Sequence, residues 1–97
     1  MPSTYDMLKQ HRAEILALAA RHGAIGIRVF GSVACGKDKE SSDIDFLVSM
    51  EKGRSLFDLA KLQTDLEGLL HKQIDIVSEK GIYPKLRNTI LGEARDF

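Results

Sequence analysis

Cys35 is the only cysteine in the chain, so no disulfide can form within it and a reducing cytoplasm is the expected setting. An excess of either charge is also missing. Fourteen acidic residues face fourteen basic ones, which removes the polyelectrolyte case for a protein that binds nucleic acid directly. No apolar run approaches the length of a bilayer span, and the opening MPSTYDMLKQHRAEILALAARHG carries charges where a signal peptide would have an apolar centre. Repeats, low-complexity segments and evident linkers are absent as well. What remains is 97 residues, 43% of them apolar. That size and composition predict one domain over residues 1–97 with a single core.

Apolar spacing predicts six elements. A helix runs from Thr4 to His22, with Leu8, Ile15, Leu18 and Ala19 near one stripe and Gly23 as its stop. Ala24 to Phe30 reads as a strand with Ile25, Ile27 and Val29 on one face, and Asp43 to Ser49 as a second with Ile44, Phe46 and Val48 on one side. Ser55 and Asp58 form a capping pair for a helix to about His71, whose buried stripe would be Leu56, Leu59, Ala60, Leu66 and Leu70. Gln73 to Ser78 is a third strand, Ile74 and Ile76 inward and Asp75 outward. Pro84 suits the first turn of a last helix, in which Leu86, Ile90 and Leu91 could pack. The order α-β-β-α-β-α fits an α/β (α+β) fold, a small mixed sheet with helices on one face. The other face would then be open and carry Arg28, Asp43, Asp45 and Asp75.

That acidic face needs a reason. Asp43 and Asp45 share a side of one strand, about 6–7 Å apart, and like charges so placed destabilise a sheet unless something neutralises them. An aspartate at the start of a strand often makes only a local turn, which would account for Asp43 alone. Asp45 lies inside the strand, where aspartate is disfavoured. A bound magnesium ion, which takes oxygen ligands and shares them with phosphates, would offset the repulsion. Two such ions could clamp a phosphoryl or nucleotidyl transfer. Asp75 would complete the site or draw a proton from the attacking hydroxyl. Gly31 and Ser32, directly after the first strand, let backbone and hydroxyl approach a phosphate. Lys37 is the residue of the following polar run that could also reach one. Cys35 reads as a small loop residue, since no histidine is placed to activate it. His11, His22 and His71 lack metal-ligand spacing.

Ten residues separate Ser32 from Asp43 in GSVACGKDKESSDIDFLV. This stretch resembles the signature of the DNA polymerase β-like nucleotidyltransferases, a GS pair followed by DxD. More closely it resembles the minimal nucleotidyltransferases, or MNT proteins, with KQIDIV supplying the later strand aspartate. The resemblance implies a small mixed sheet flanked by helices that binds Mg-ATP across the exposed sheet face. It implies that Gly31 and Ser32 hold the nucleotide phosphates, that Asp43 and Asp45 bind the metals, and that Asp75 is the third ligand or the base. Many relatives have GSxARG, whose arginine falls where this chain has Cys35. The resemblance further implies an antitoxin that pairs with a HEPN-domain RNase toxin and transfers AMP from ATP to a tyrosine of it. The alternatives are an MNT antitoxin that acts by binding alone and a small-molecule nucleotidyltransferase of the aminoglycoside type.

Overall fold

The computed structural model describes residues 3–97. Ser3 opens helix α1 (Thr4–Gln10) with a reciprocal cap: its hydroxyl accepts from the Asp6 N–H, and the Asp6 carboxylate accepts from the Ser3 N–H. The helix expected to continue to His22 is interrupted at His11, which closes α1 and opens α2 (Arg12–Arg21). At φ −96° and ψ 11° His11 sits in the bridge region between the helical and extended basins. The break leaves Leu8 and Ile15, one on each helix, in the same core. Gly23, at φ +85°, stops α2 as expected.

Strands β1 (Ala24–Phe30), β2 (Ile44–Met50) and β3 (Ile74–Ser78) form one mixed sheet in the order β1-β2-β3. β1 runs antiparallel to β2, and β3 runs parallel to it. The parallel return requires a crossover, which α4 (Leu56–Leu70) supplies. Ser55 and Asp58 cap α4 as a pair, and His71 ends it in a left-handed conformation at φ 55°.

Three packing expectations change. Ile25 is 75% exposed, because the β1–β2 register shifts between Ala24 and Gly26 and the bulge turns Ile25 away from the face of Ile27 and Val29. On α4 the buried line is Leu62, Leu66 and Leu70, with Leu59 half-buried, whereas Leu56 and Ala60 are exposed. At 3.6 residues per turn Ala60 lies about 120° round from Leu66, and Leu56 about 80°. On the last helix, α5 (Pro84–Glu93), Leu86 is exposed while Ile90 and Leu91 pack.

The main core lies between one sheet face and helices α1, α2 and α4, and includes Leu8, Ile15, Val29, Phe46, Leu62 and Leu66. The other face is not fully open. Phe30, Leu47 and Ile82 form a second cluster with Val77, Ile90 and Leu91, so α5 covers its apolar part. The register continues that face from Phe30 through Asp45 to Asp75, and this acidic end carries the candidate site. Beyond α5 the chain returns to β1. The Val29 N–H donates to the Arg95 carbonyl at 3.0 Å and the Arg95 N–H to the Val29 carbonyl at 2.8 Å. Phe97 then packs its ring 5.9 Å from that of Phe46. Among the described residues, no helix is long and apolar enough to cross a membrane.

Candidate nucleotide site

Gly31 leaves β1 at φ +73°, a conformation that favours glycine. The segment after it opens with one helical turn, α3 (Gly31–Ala34), where a plain loop was expected. The Cys35 N–H donates to the Gly31 carbonyl at 3.1 Å and the Lys37 N–H to the Ser32 carbonyl at 2.8 Å. The turn brings the Gly31 backbone against Asp45. A methyl group added at Gly31 would overlap Asp45 Oδ2 and stand 3.3 Å from its Cγ. The glycine and the aspartate are thus matched across neighbouring strands.

Asp45 is half-buried on β2 and lies beside Asp75 in the parallel ladder. Its carboxyl is pushed up to about 6, first by burial, then by the Asp75 carboxylate, which also hydrogen-bonds its protonated form, and further by Asp43 and Glu93. Asp43 stands one residue ahead of β2 and is half-buried, and Asp75 is exposed. The structure therefore brings Asp45 and Asp75 together with Asp43 nearby. Ser32, half-buried in α3, and Lys37, exposed after it, lie on the same segment. Arg28, expected on this face, is held by Glu79 at 2.8 Å. Among the described residues, none of Asp43, Asp45, Asp75 and Glu93 makes an ion pair.

Three carboxylates closing on one point, as expected from the strands, are not found. Among the described residues no three acidic, imidazole or thiol groups could enclose a metal on their own. Asp43 lies outside the ladder, one residue ahead of β2, while Asp45 and Asp75 are paired within it. An all-oxygen, half-open set still suits magnesium, which dehydrates reluctantly and takes its remaining ligands from water and substrate phosphates. Glu93 had no signal in the sequence. It follows the motif by half the chain, and only the path of α5 across the sheet brings it here.

The raised Asp45 carboxyl has a measurable consequence. It binds its proton more tightly in the fold than in the unfolded chain, so metal-free stability should fall as the pH rises from about 4 to about 6. With this half-exposed group discounted for solvent screening, the loss should be about 1 kcal/mol. Urea titrations of the native protein and Asp45→Asn in EDTA would check it. The difference between the two should change across that window and be flat above it.

Similarity to known proteins agrees with this geometry. A family model described as a nucleotidyltransferase domain matches residues 8–97. MJ0435 of Methanocaldococcus jannaschii, provisionally named a protein adenylyltransferase, is 38% identical, covering 92% of this chain and 96% of its own. Protein adenylyltransferase MntA of Thermococcus cleftensis is 37% identical over 91% of this chain and 86% of its own. A solved structure described provisionally as a minimal nucleotidyltransferase superposes with a TM-score of 0.85 at 50% identity, covering 96% of this chain and 95% of that one. A toxin–antitoxin structure with AMP-PNP shares the fold at a TM-score of 0.74 and 21% identity, covering 86% of this chain and 68% of that one. With nearly its whole length matched, and a glycine-backed aspartate beside a second strand aspartate, this chain belongs to the nucleotidyltransferase domain family.

Proposed function

We propose that the chain, as one unit over residues 1–97, transfers AMP from magnesium-bound ATP to a tyrosine of a HEPN-type RNase toxin in the cytoplasm and so acts as its antitoxin. The observation that carries the reading is Asp45, seated against Gly31, paired with Asp75 in the ladder and, among the described residues, in no ion pair. The names of the adenylyltransferase relatives support the reaction, and the toxin–antitoxin neighbour with AMP-PNP supports the setting and the nucleotide.

Gly31 and Ser32 would receive the nucleotide phosphates through close backbone approach and the serine hydroxyl, with Lys37 adding charge from the exposed segment. Asp43 and Asp45 would hold the cation, with Asp75 as a further ligand or as the proton acceptor. When bound, the cation neutralises charge on the phosphates and on the leaving pyrophosphate. The acceptor phenol attacks the α-phosphorus in line, a new P–O bond forms, the bond to the β-phosphate oxygen breaks, and the phenolic proton passes to Asp75 or to water. Asp75 is the exposed carboxylate of the set and so the one an incoming acceptor can reach. A docked protein would supply the wall on the acceptor side.

Nucleotide binding is the first test. ATP with magnesium, at a hundred times the dissociation constant, should stabilise the fold by about 2.7 kcal/mol. Thermal melts with ATP alone, magnesium alone and both would check it, and no additional shift for the combination would remove the nucleotide site. The second test mixes the protein with its toxin, ATP and magnesium. The toxin should gain the mass of one AMP and lose RNase activity. Silencing without any mass change would favour the antitoxin that acts by binding alone, a reading kept in view by Cys35 in place of the family arginine.

A further inference from the structure

Glu93 is the acidic side chain of the site that the motif does not contain, and its position is closely fixed. It ends α5, and the residues after it are tied down. The Ala94 N–H donates to the Ile90 carbonyl at 3.0 Å, and Arg95 exchanges two backbone hydrogen bonds with Val29. The Cys35 thiol donates to Glu93 Oε2 at 3.9 Å. Asp45 lies against Gly31 at the start of α3, so the two carboxylates flank one short turn about 6 Å long.

The nearby cation does not neutralise it. The Arg95 guanidinium donates to the Ala34 carbonyl at 3.0 Å and lies 4.4 Å from the centre of the Tyr5 ring. Among the described residues Glu93 makes no ion pair. A negative charge is therefore held at the edge of the surface that would take the phosphates, on a residue that is neither in the strand pair nor needed to explain the fold.

Building on the adenylyltransferase reading, we infer that Glu93 is a specificity-determining residue that makes the site reject metal-free ATP in favour of metal-bound ATP. Its charge, on a half-buried side chain at the end of that short turn, repels a bare triphosphate brought to the turn, and the several negative charges of the phosphates add up. A nucleotide whose phosphates already carry a divalent cation presents far less charge and meets far less repulsion. Asp43, Asp45 and Asp75 repel in the same way but are also assigned to holding the cation. Glu93 is where repulsion can be separated from ligation.

The test is calorimetric titration of the native protein and Glu93→Gln with AMP-PNP, once in EDTA and once in excess magnesium, with melting temperatures as a check on folding. Glutamine keeps the shape and an acceptor for the Cys35 thiol while removing the charge. Glu93→Gln should bind metal-free nucleotide about tenfold more tightly and change magnesium-nucleotide affinity less than threefold. Magnesium-nucleotide binding weakened by more than tenfold would make Glu93 a ligand and overturn the inference. Equal changes in both arms, or none in either, would also overturn it. If the native protein binds no nucleotide even with magnesium, the adenylyltransferase reading falls, and this inference falls with it. If it binds normally and Glu93→Gln moves nothing, only the inference falls.

Discussion

Asp43→Asn combined with Asp45→Asn should abolish AMP transfer, by at least about a thousandfold, and at the same time stabilise the metal-free protein. Catalytic and structural roles make opposite forecasts here. A buried carboxylate that held the fold through an ion pair would cost several kcal/mol when neutralised. Among the described residues Asp45 has no such pair, and it is instead pushed up to about 6 by burial and by its acidic neighbours. Asparagine keeps the shape beside Gly31 and removes the repulsion. Allowing for the exposure of the site, the gain should be about 1 kcal/mol, or a melting temperature higher by roughly 4–8 °C for a chain of this size. The ordering should invert in magnesium and ATP, which stabilise only the native protein. Melts of both proteins with and without ligand, beside a transfer assay, would read all of this. A double mutant that unfolds in EDTA would make the pair structural, and one that still transfers AMP would remove it from the site.

Most of the strand arrangement was legible because it rests on two simple periodicities. Alternation in IDFLV and IDIV places Asp45 and Asp75 on one face, and the register puts them side by side. The capping pair Ser55 and Asp58 marked where α4 begins. The misses are tertiary. In AARHGAIGIRV the one signal of the bulge at Ala24 and Gly26 is the glycine inside the strand, and it is masked because Ile25 alternates correctly with Ile27 until the register slips. Nothing near His11 resembles a helix stop, because the break follows from seating Leu8 and Ile15 in one core. The first turn of α4 carries Leu56 at 80% exposure, and its apolar residues gave the wrong phase to the stripe.

The site divides in the same way. Gly31, Ser32 and the aspartates were legible as a pattern of glycine, hydroxyl and alternating acids. Their relation was not: that the Gly31 backbone abuts the Asp45 carboxylate is a fact about two strands meeting. Glu93 and the Arg95 bridge to Val29 depend on the return of the chain from α5 and have no local signature. The second cluster beneath α5 has the same origin, for Leu47 alternates with Asp45 on a face that seemed polar throughout.

Gly31→Ala is expected to damage both stability and nucleotide binding, and Gly36→Ala provides the measure of how much. Both glycines have left-handed backbones, at φ +73° and φ +70°, so alanine at either position carries the same conformational cost of about 1 kcal/mol. Their surroundings differ. At Gly36 an added methyl group meets nothing within 4 Å, whereas at Gly31 it overlaps Asp45 Oδ2. That carboxylate is half-buried beside Asp75, so turning it away from the added methyl group displaces it from its place in the site. Gly31→Ala should therefore lose about 2 kcal/mol in total, lowering the melting temperature by roughly 10–15 °C. Magnesium-dependent nucleotide binding should weaken at least about tenfold, a loss of roughly 1.4 kcal/mol or more, while Gly36→Ala binds as the native protein does. Adding Asp45→Ala to Gly31→Ala removes the overlapping atoms and should recover the steric part of the stability loss but none of the binding. Equal losses for the two glycine variants would mean that the close approach between Gly31 and Asp45 has no energetic weight. Full binding by Gly31→Ala would mean that the phosphates lie elsewhere.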